Sequence, residues 1–327
     1  MCVNSSLPHA GYGVVPLMMA NSSSRVCVLL SSFTGARFIE QQVSSIVTQV
    51  GVETVVFVRD DGSSDATNDI VRALAKADSR VQVVSDVEYG PTGLPTKAFL
   101  RLFALVDFSD FDFVALSDQD DIWLPDKLAR ATAALQSSGA DGFSSDLLSF
   151  YEDGRFQKVR KSGPQKTLDY LFQGASAGCT YVLTSRFASE VGARLGSASA
   201  LRHLPDRASH DWLIYALCRG VGGGWVMEAF PLVIYRQHRS NVYGAQAGFT
   251  GLLSRLKLAR SGWLFSQSLF LETVLPESPI RQRVFTAIRR LSFLDRIWLA
   301  LNSYQFRRET RDVVLLALFF LVSGRPK

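Results

Sequence analysis

Cysteine is scarce in this chain of 327 residues: Cys2, Cys27, Cys179 and Cys218 stand far apart, with no CxxC pair and no zinc-ligand spacing. The scatter argues against a thiolate metal centre, and free thiols in a reducing cytosol are the simplest account. Long hydrophobic runs are missing as well. The longest, residues 313–322, has ten residues, about half of what a helix needs to span a bilayer. Residues 1–24 are rich in Ser, Asn and Gly, and they lack both the charged start and the apolar run of a secretory signal. They read as a disordered leader. No internal repeat is visible.

Charge is present but unevenly spread. The chain has 35 Lys and Arg against 30 Asp and Glu, a pI near 9.1 and a mean hydropathy of +0.11. Residues 251–327 hold 13 basic and 5 acidic side chains, a net of +8, which leaves the first 250 residues at −3. Such asymmetry points to an anionic partner, either a membrane surface or a nucleic acid. No nucleic-acid-binding motif accompanies the charge, so nucleic acid is set aside. Helical spacing dominates after residue 249. Ile280, Val284, Ile288, Leu291, Trp298 and Leu301 fall on one face, with Arg281, Arg289, Arg290 and Arg296 assigned to the surface. Two readings of this region stay open: a monotopic contact lying on a membrane, or a helical subdomain packed on the rest of the chain.

From residue 25 to about 135, strand and helix patterns alternate. Apolar runs at 26–30, 53–58, 81–84 and 113–116 read as strands, with helices over 38–49, 65–77 and 96–106 between them. Unbroken apolar strands separated by helices predict an α/β fold with a mainly parallel sheet covered on both faces. Ligands in such sheets bind beyond the carboxyl ends of the strands. Three polar clusters lie there: Ser31-Ser32-Phe33-Thr34 after the first strand, Asp60-Asp61-Gly62 after the second, and Asp118 to Asp121 after the fourth.

The last cluster, with Asp118, Asp120 and Asp121 in four positions, carries the strongest chemical signal. Carboxylates packed this closely repel one another, so a fold that converges them needs a cation. A divalent ion holding a diphosphate fits, whereas an EF-hand would need a Gly and a distal Glu that are absent. The competing reading is a solvated turn capping the next helix, with Pro125 in that helix's first turn. Asp60-Asp61-Gly62-Ser63-Ser64-Asp65 suits either a base or ribose contact or an Asx turn, the latter supplying the cap of the following helix. His210-Asp211 opens a helix, where Asp211 is either dipole-stabilised or a general base. In Tyr235-Arg236-Gln237-His238, the imidazole can complete a metal site and Arg236 can meet phosphate.

LSDQDDIWLPDKL at 116–128, DDGSSDAT at 60–67, HDW at 210–212 and YRQHRSN at 235–241 closely resemble the family 2 glycosyltransferases of GT-A fold, nearest their rhamnosyltransferase-like branch. The chain divides into a catalytic domain over 25–248 and a C-terminal basic amphipathic helical region over 249–327, and the resemblance covers about residues 25–245. It implies an inverting transfer of a sugar, rhamnose favoured, from a nucleoside-diphosphate sugar (dTDP-rhamnose or a UDP-sugar) with Mg²⁺ or Mn²⁺. The acceptor would be a saccharide hydroxyl, lipid-linked, in surface polysaccharide synthesis at the cytoplasmic face of a bacterial inner membrane. By the same resemblance, Ser32, Phe33, Asp60, Asp61, Asp118 and Arg236 would hold the donor, and Asp120 and His238 the metal. Asp211 would be the base, and Gly178, Cys179, Thr180 and Trp212 would shape the acceptor or sugar pocket. Phe33-Thr34 stands where the family often has Tyr-Asn, and Gly174 where Asn is common. Two other classes stay in view, a sugar-nucleotide nucleotidyltransferase and a non-catalytic sugar-nucleotide sensor. The first lacks its glycine-rich basic loop here.

Overall fold

A computed structural model of the chain describes residues 23–86, 89–205, 207–238 and 262–323. Cys2, the leader up to residue 22, residues 239–241 of the YRQHRSN motif and the 248/249 boundary lie outside the described residues. In chain order the elements begin with β1 (Ser24–Ser32), α1 (Ile39–Val47), β2 (Val52–Asp60), α2 (Thr67–Ala77) and β3 (Val81–Val83). They continue with α3 (Pro95–Leu105), β4 (Phe113–Ser117), β5 (Ile122–Trp123), α4 (Lys127–Ser138), β6 (Gly142–Ser145), β7 (Leu147–Tyr151) and β8 (Phe156–Val159). β9 (Val182–Thr184), α5 (Ser185–Leu195), α6 (Ala198–Arg202), α7 (His210–Gly220), β10 (Trp225–Glu228) and β11 (Val233–Gln237) follow. The described C-terminal part is helical: α8 (Trp263–Val274), α9 (Pro279–Arg290), α10 (Phe293–Leu301), α11 (Ser303–Phe306) and α12 (Thr310–Val322).

Seven strands form the main sheet in the order β10-β6-β9-β4-β1-β2-β3, all parallel except β9. A second sheet, β5-β11-β7-β8, flanks it. The period-2 alternation of strand side chains builds a core on each face. Cys27 and Leu29 of β1 join one core with Val114 and Leu116 of β4 and helices α3, α5 and α7. Val26, Val28 and Leu30 join the other with Phe113, Ala115 and helices α1 and α4. Register pairs Ser32 with Asp60 and Leu30 with Ser117, so the polar clusters after β1, β2 and β4 end at one edge.

The C-terminal helices are built into the first core. Leu271, Val284, Phe285, Ile288, Leu299, Phe306 and Phe320 share it with Trp212, Leu213 and Tyr215 of α7. Ile280 and Leu301, expected on the buried face, are exposed instead. Arg281, expected on the surface, is buried and donates to Tyr170 Oη (3.2 Å) and to the carbonyls of Gly220 and Pro276. Its guanidinium serves carbonyls that the turns leave unpaired, a use that helical periodicity does not register. Two helix starts also differ from expectation. α2 begins at Thr67, whose N–H is received by Asp65 (3.1 Å), and α4 begins at Lys127 with Pro125 outside it. Between Asp121 and α4, the chain adds the short strand β5 to β11.

Candidate active site

The loop after β1 and the loop after β2 close on each other. Ser32 Oγ donates to Asp60 Oδ1 (3.0 Å), and Asp60 Oδ2 receives the N–H groups of Gly62 and Ser63 (3.2 and 2.9 Å). Asp61 turns inward and is 6 % exposed. Its oxygens receive Arg59 Nη1 (2.6 Å), the N–H groups of Thr92 and Gly93, and Thr92 Oγ1. Within this structure Asp61 therefore fastens the loop at 90–93 beside the corner. Phe33 is exposed, and its backbone N–H and C=O are both held by the Gln119 amide (2.8 and 2.9 Å). That clamp explains Gly35, where a Cβ would stand 2.2 Å from Gln119 Oε1.

Asp118 to Asp121 leave β4 at the same edge. Burial, followed by the charges of Asp120 and Asp211, pushes the Asp118 carboxyl up to about 7, against the opposing pull of Lys127. Asp120 Oδ2 lies 2.8 Å from His238 Nε2, whose ring rests on Phe38 with centroids 4.9 Å apart. Arg236 lies over the same Phe38 ring (5.1 Å) and bonds Gln41, and its backbone N–H reaches Asp121 Oδ1 (3.3 Å). β11 brings both residues in by pairing with β5, and this long-range pairing unites two motifs more than 100 residues apart.

Asp121 faces the interior. One oxygen each of Asp118 and Asp121 and the Cys179 sulfur lie within 4.8 Å of one another. Burial is the first cause that raises both Asp121 and the Cys179 thiol. Asp121 Oδ2 is buried with no hydrogen-bond partner. Carboxylates that converge with an unserved oxygen suit a hard divalent cation, and an imidazole beside them is compatible with Mn²⁺ as well as Mg²⁺. A protonated thiol does not. The carboxylates of Asp118 and Asp121 suit such an ion better than the Cys179 thiol beside them, and the Asp120–His238 pair stands next to this group.

Asp211 sits in the first turn of α7, where the helix N-terminus favours its charge. Its Oδ1 receives Ser209 Oγ and the Trp212 N–H (2.7 Å). The Asp211 charge raises Asp118, so the expected base and the acidic cluster share one electrostatic site. The expected pocket walls are placed differently. Trp212 is 3 % exposed, donates Nε1 to the Tyr170 carbonyl (2.7 Å) and packs on Trp263, so it supports the site from the core instead of lining it. Cys179 and Thr180 are likewise buried, in a helical turn beneath the acidic cluster. Gly178 faces His210, where a Cβ would meet Nε2 at 2.4 Å. Gly178→Ala must therefore displace the turn or the imidazole, and we expect a loss of about 1–3 kcal/mol in a denaturant melt, with the donor affinity lowered.

Several site residues escape sequence reading. Gln42 donates to Ser117 Oγ (2.7 Å), and Gln49 bridges the Leu124 carbonyl and the Leu128 N–H, so α1 and the turn after it brace the segment that carries the carboxylates. Lys127, fully buried, donates Nζ to the Cys179 carbonyl (3.0 Å) and lies 3.0 Å from the Trp123 ring centroid. It is the internal countercharge of the cluster, and burial pushes its ammonium pKa down. Its only sequence signal is its place in LPDKL. Arg308 has none: it reaches Asp169 (3.1 Å) and the carbonyls of Gly174 and Ala175, just ahead of the turn at 178–180.

Comparison with known proteins bears on this geometry. The model of glycosyl transferase family 2 matches residues 27–188. The dTDP-rhamnosyl transferase RfbG of Shigella flexneri is 29% identical over 90% of this chain and 99% of its own length. Among solved structures, S. aureus TarS 1–349 in complex with UDP-GlcNAc superposes with a TM-score of 0.56 at 15% identity, over 90% of this chain and 79% of that one. The mannosyltransferase PcManGT of Pyrobaculum calidifontis, in complex with GDP-Man and Mn²⁺, gives a TM-score of 0.52 at 14% identity, over 92% and 74%.

Proposed function

Residues 27–188 belong to glycosyl transferase family 2, carried on a GT-A fold, and from that premise we propose an inverting, metal-dependent transfer of rhamnose from dTDP-rhamnose to a saccharide hydroxyl. The donor follows the relative that matches nearly end to end. The acceptor in this reading is lipid-linked, at the cytoplasmic membrane face; among the described residues no helix is long and apolar enough to cross a membrane. The observation that carries the reading is the meeting of two distant motifs at one sheet edge, with Asp120 Oδ2 2.8 Å from His238 Nε2 beside the converging Asp118 and Asp121.

In this reading Ser32, Phe33, Asp60 and Asp61 form the nucleotide corner, and Asp118 faces the ribose or sugar. Asp120 and His238 would hold Mg²⁺ or Mn²⁺, and Arg236 would meet the diphosphate. A bound ion supplies charge neutralisation on the leaving nucleoside diphosphate. Asp211 accepts the proton of the acceptor hydroxyl as that oxygen bonds to the anomeric carbon and the carbon–diphosphate bond breaks. One displacement inverts the centre, and no covalent enzyme intermediate forms. Residues 25–248 supply the catalytic part, the described helices at 263–322 pack on it, and residues 251–327 carry the basic charge.

The test is a panel of nucleotide sugars, dTDP-rhamnose first, given to the full chain with Mg²⁺ or Mn²⁺. Metal-dependent release of dTDP by slow hydrolysis or transfer, abolished by EDTA and restored by added ion, is the expected result. Release of pyrophosphate from a sugar phosphate and a nucleoside triphosphate would make the protein a nucleotidyltransferase. Binding with no turnover under any donor would leave a sensor.

A further inference from the structure

α10, α11 and α12 bury one face and leave the other bare. On α10–α11, Leu294, Ile297, Leu301 and Tyr304 recur at helical spacing, with Leu294 74 % and Leu301 71 % exposed and Ile297 half-buried. On α12, Val314, Leu318 and Leu321 do the same, beside Leu315 and Val322, the latter 80 % exposed. Opposite faces of the same helices, through Leu299, Phe306, Leu316 and Phe320, enter the core. Arg296 Nη1 reaches the Leu321 carbonyl (3.4 Å), which sets the start of α10 beside the end of α12. α10 and α12 therefore pack side by side. Soluble proteins rarely leave a contiguous apolar surface of this kind uncovered.

We infer that this face lies in the interface of an anionic lipid surface, with α10 and α12 parallel to the membrane plane. Charge complementarity selects the occupant. Residues 251–327 carry a net +8, and Arg290 and Arg311 stand exposed next to the starts of the stripes. The nearby acids are fewer than their basic partners: Asp295 lies against Arg283 and Arg290, Asp312 beside Arg311 and Glu309 3.7 Å from Arg160, so four guanidinium groups meet three carboxylates. An apolar stripe edged by arginines matches acyl chains beneath anionic headgroups. At 13 residues, α12 is about 20 Å long, enough to lie in the interface but not to cross.

The test mixes the full chain with phosphatidylcholine vesicles, with and without phosphatidylglycerol, in the absence of any donor sugar, so the outcome is independent of the transferase reading. The wild type should sediment with the anionic vesicles and be partly released by about 0.5 M salt. The exposed-face variant Leu318→Glu/Val322→Glu should lose about tenfold or more in partitioning while its thermal melt stays unchanged. Equal binding by variant and wild type, or no binding by the wild type, overturns the inference. So does a wild-type dimer in solution that the same variant converts to a monomer, which would assign the face to a second copy.

Discussion

Asp211→Asn is expected to lower sugar transfer by about 10²–10⁴-fold, the range a positioned general base contributes, while dTDP still binds. Asparagine preserves the shape. Its Oδ1 still accepts from Ser209 Oγ and the Trp212 N–H, so the first turn of α7 has no reason to rearrange. Only proton affinity and negative charge disappear. Loss of that charge also relieves Asp118, which Asp211 raises, so nucleotide and metal binding should hold or improve slightly. Turnover against nucleotide affinity, measured on one preparation, separates the roles. A variant that transfers sugar within tenfold of wild type would remove Asp211 as the base.

The second large effect concerns stability. Arg308→Met removes a guanidinium that meets buried Asp169 and closes the carbonyls of Gly174 and Ala175. Tyr215 Oη still donates to Asp169, but Arg219 stands at 3.6 Å, too far to replace a hydrogen-bonded partner. Breaking a buried pair from one side costs about 3–5 kcal/mol, because the remaining charge stays desolvated. The thermal midpoint should fall by several degrees, and the loop at 173–180 should exchange its amides faster. Arg308→Lys restores charge but not the fork that spans a carboxylate and two carbonyls, so it should recover only part of the loss. A midpoint unchanged in Arg308→Met would show that the network carries no net stability.

Most of the frame is legible in the sequence. β1 and β4 appear as apolar runs because both faces of the sheet are covered there, and the helices between the strands show their own periodicity. Burial of Lys127 and Arg281 is not legible, because a cation in an apolar context reads as surface until its partners are known. The same holds for Trp212, whose motif suggests a pocket wall and whose indole N–H is instead taken by the Tyr170 carbonyl.

The sequence by itself determined the α/β alternation, the polar clusters at the strand ends, the acidic motif and the basic C-terminal part, since each is written in neighbouring residues. Tertiary structure alone decided that His238 meets Asp120, that Asp121 turns inward towards Cys179, and that the C-terminal helices bury one face and leave another bare. Those outcomes depend on strand register and on which polar groups share a desolvated space, and both join residues more than 50 positions apart.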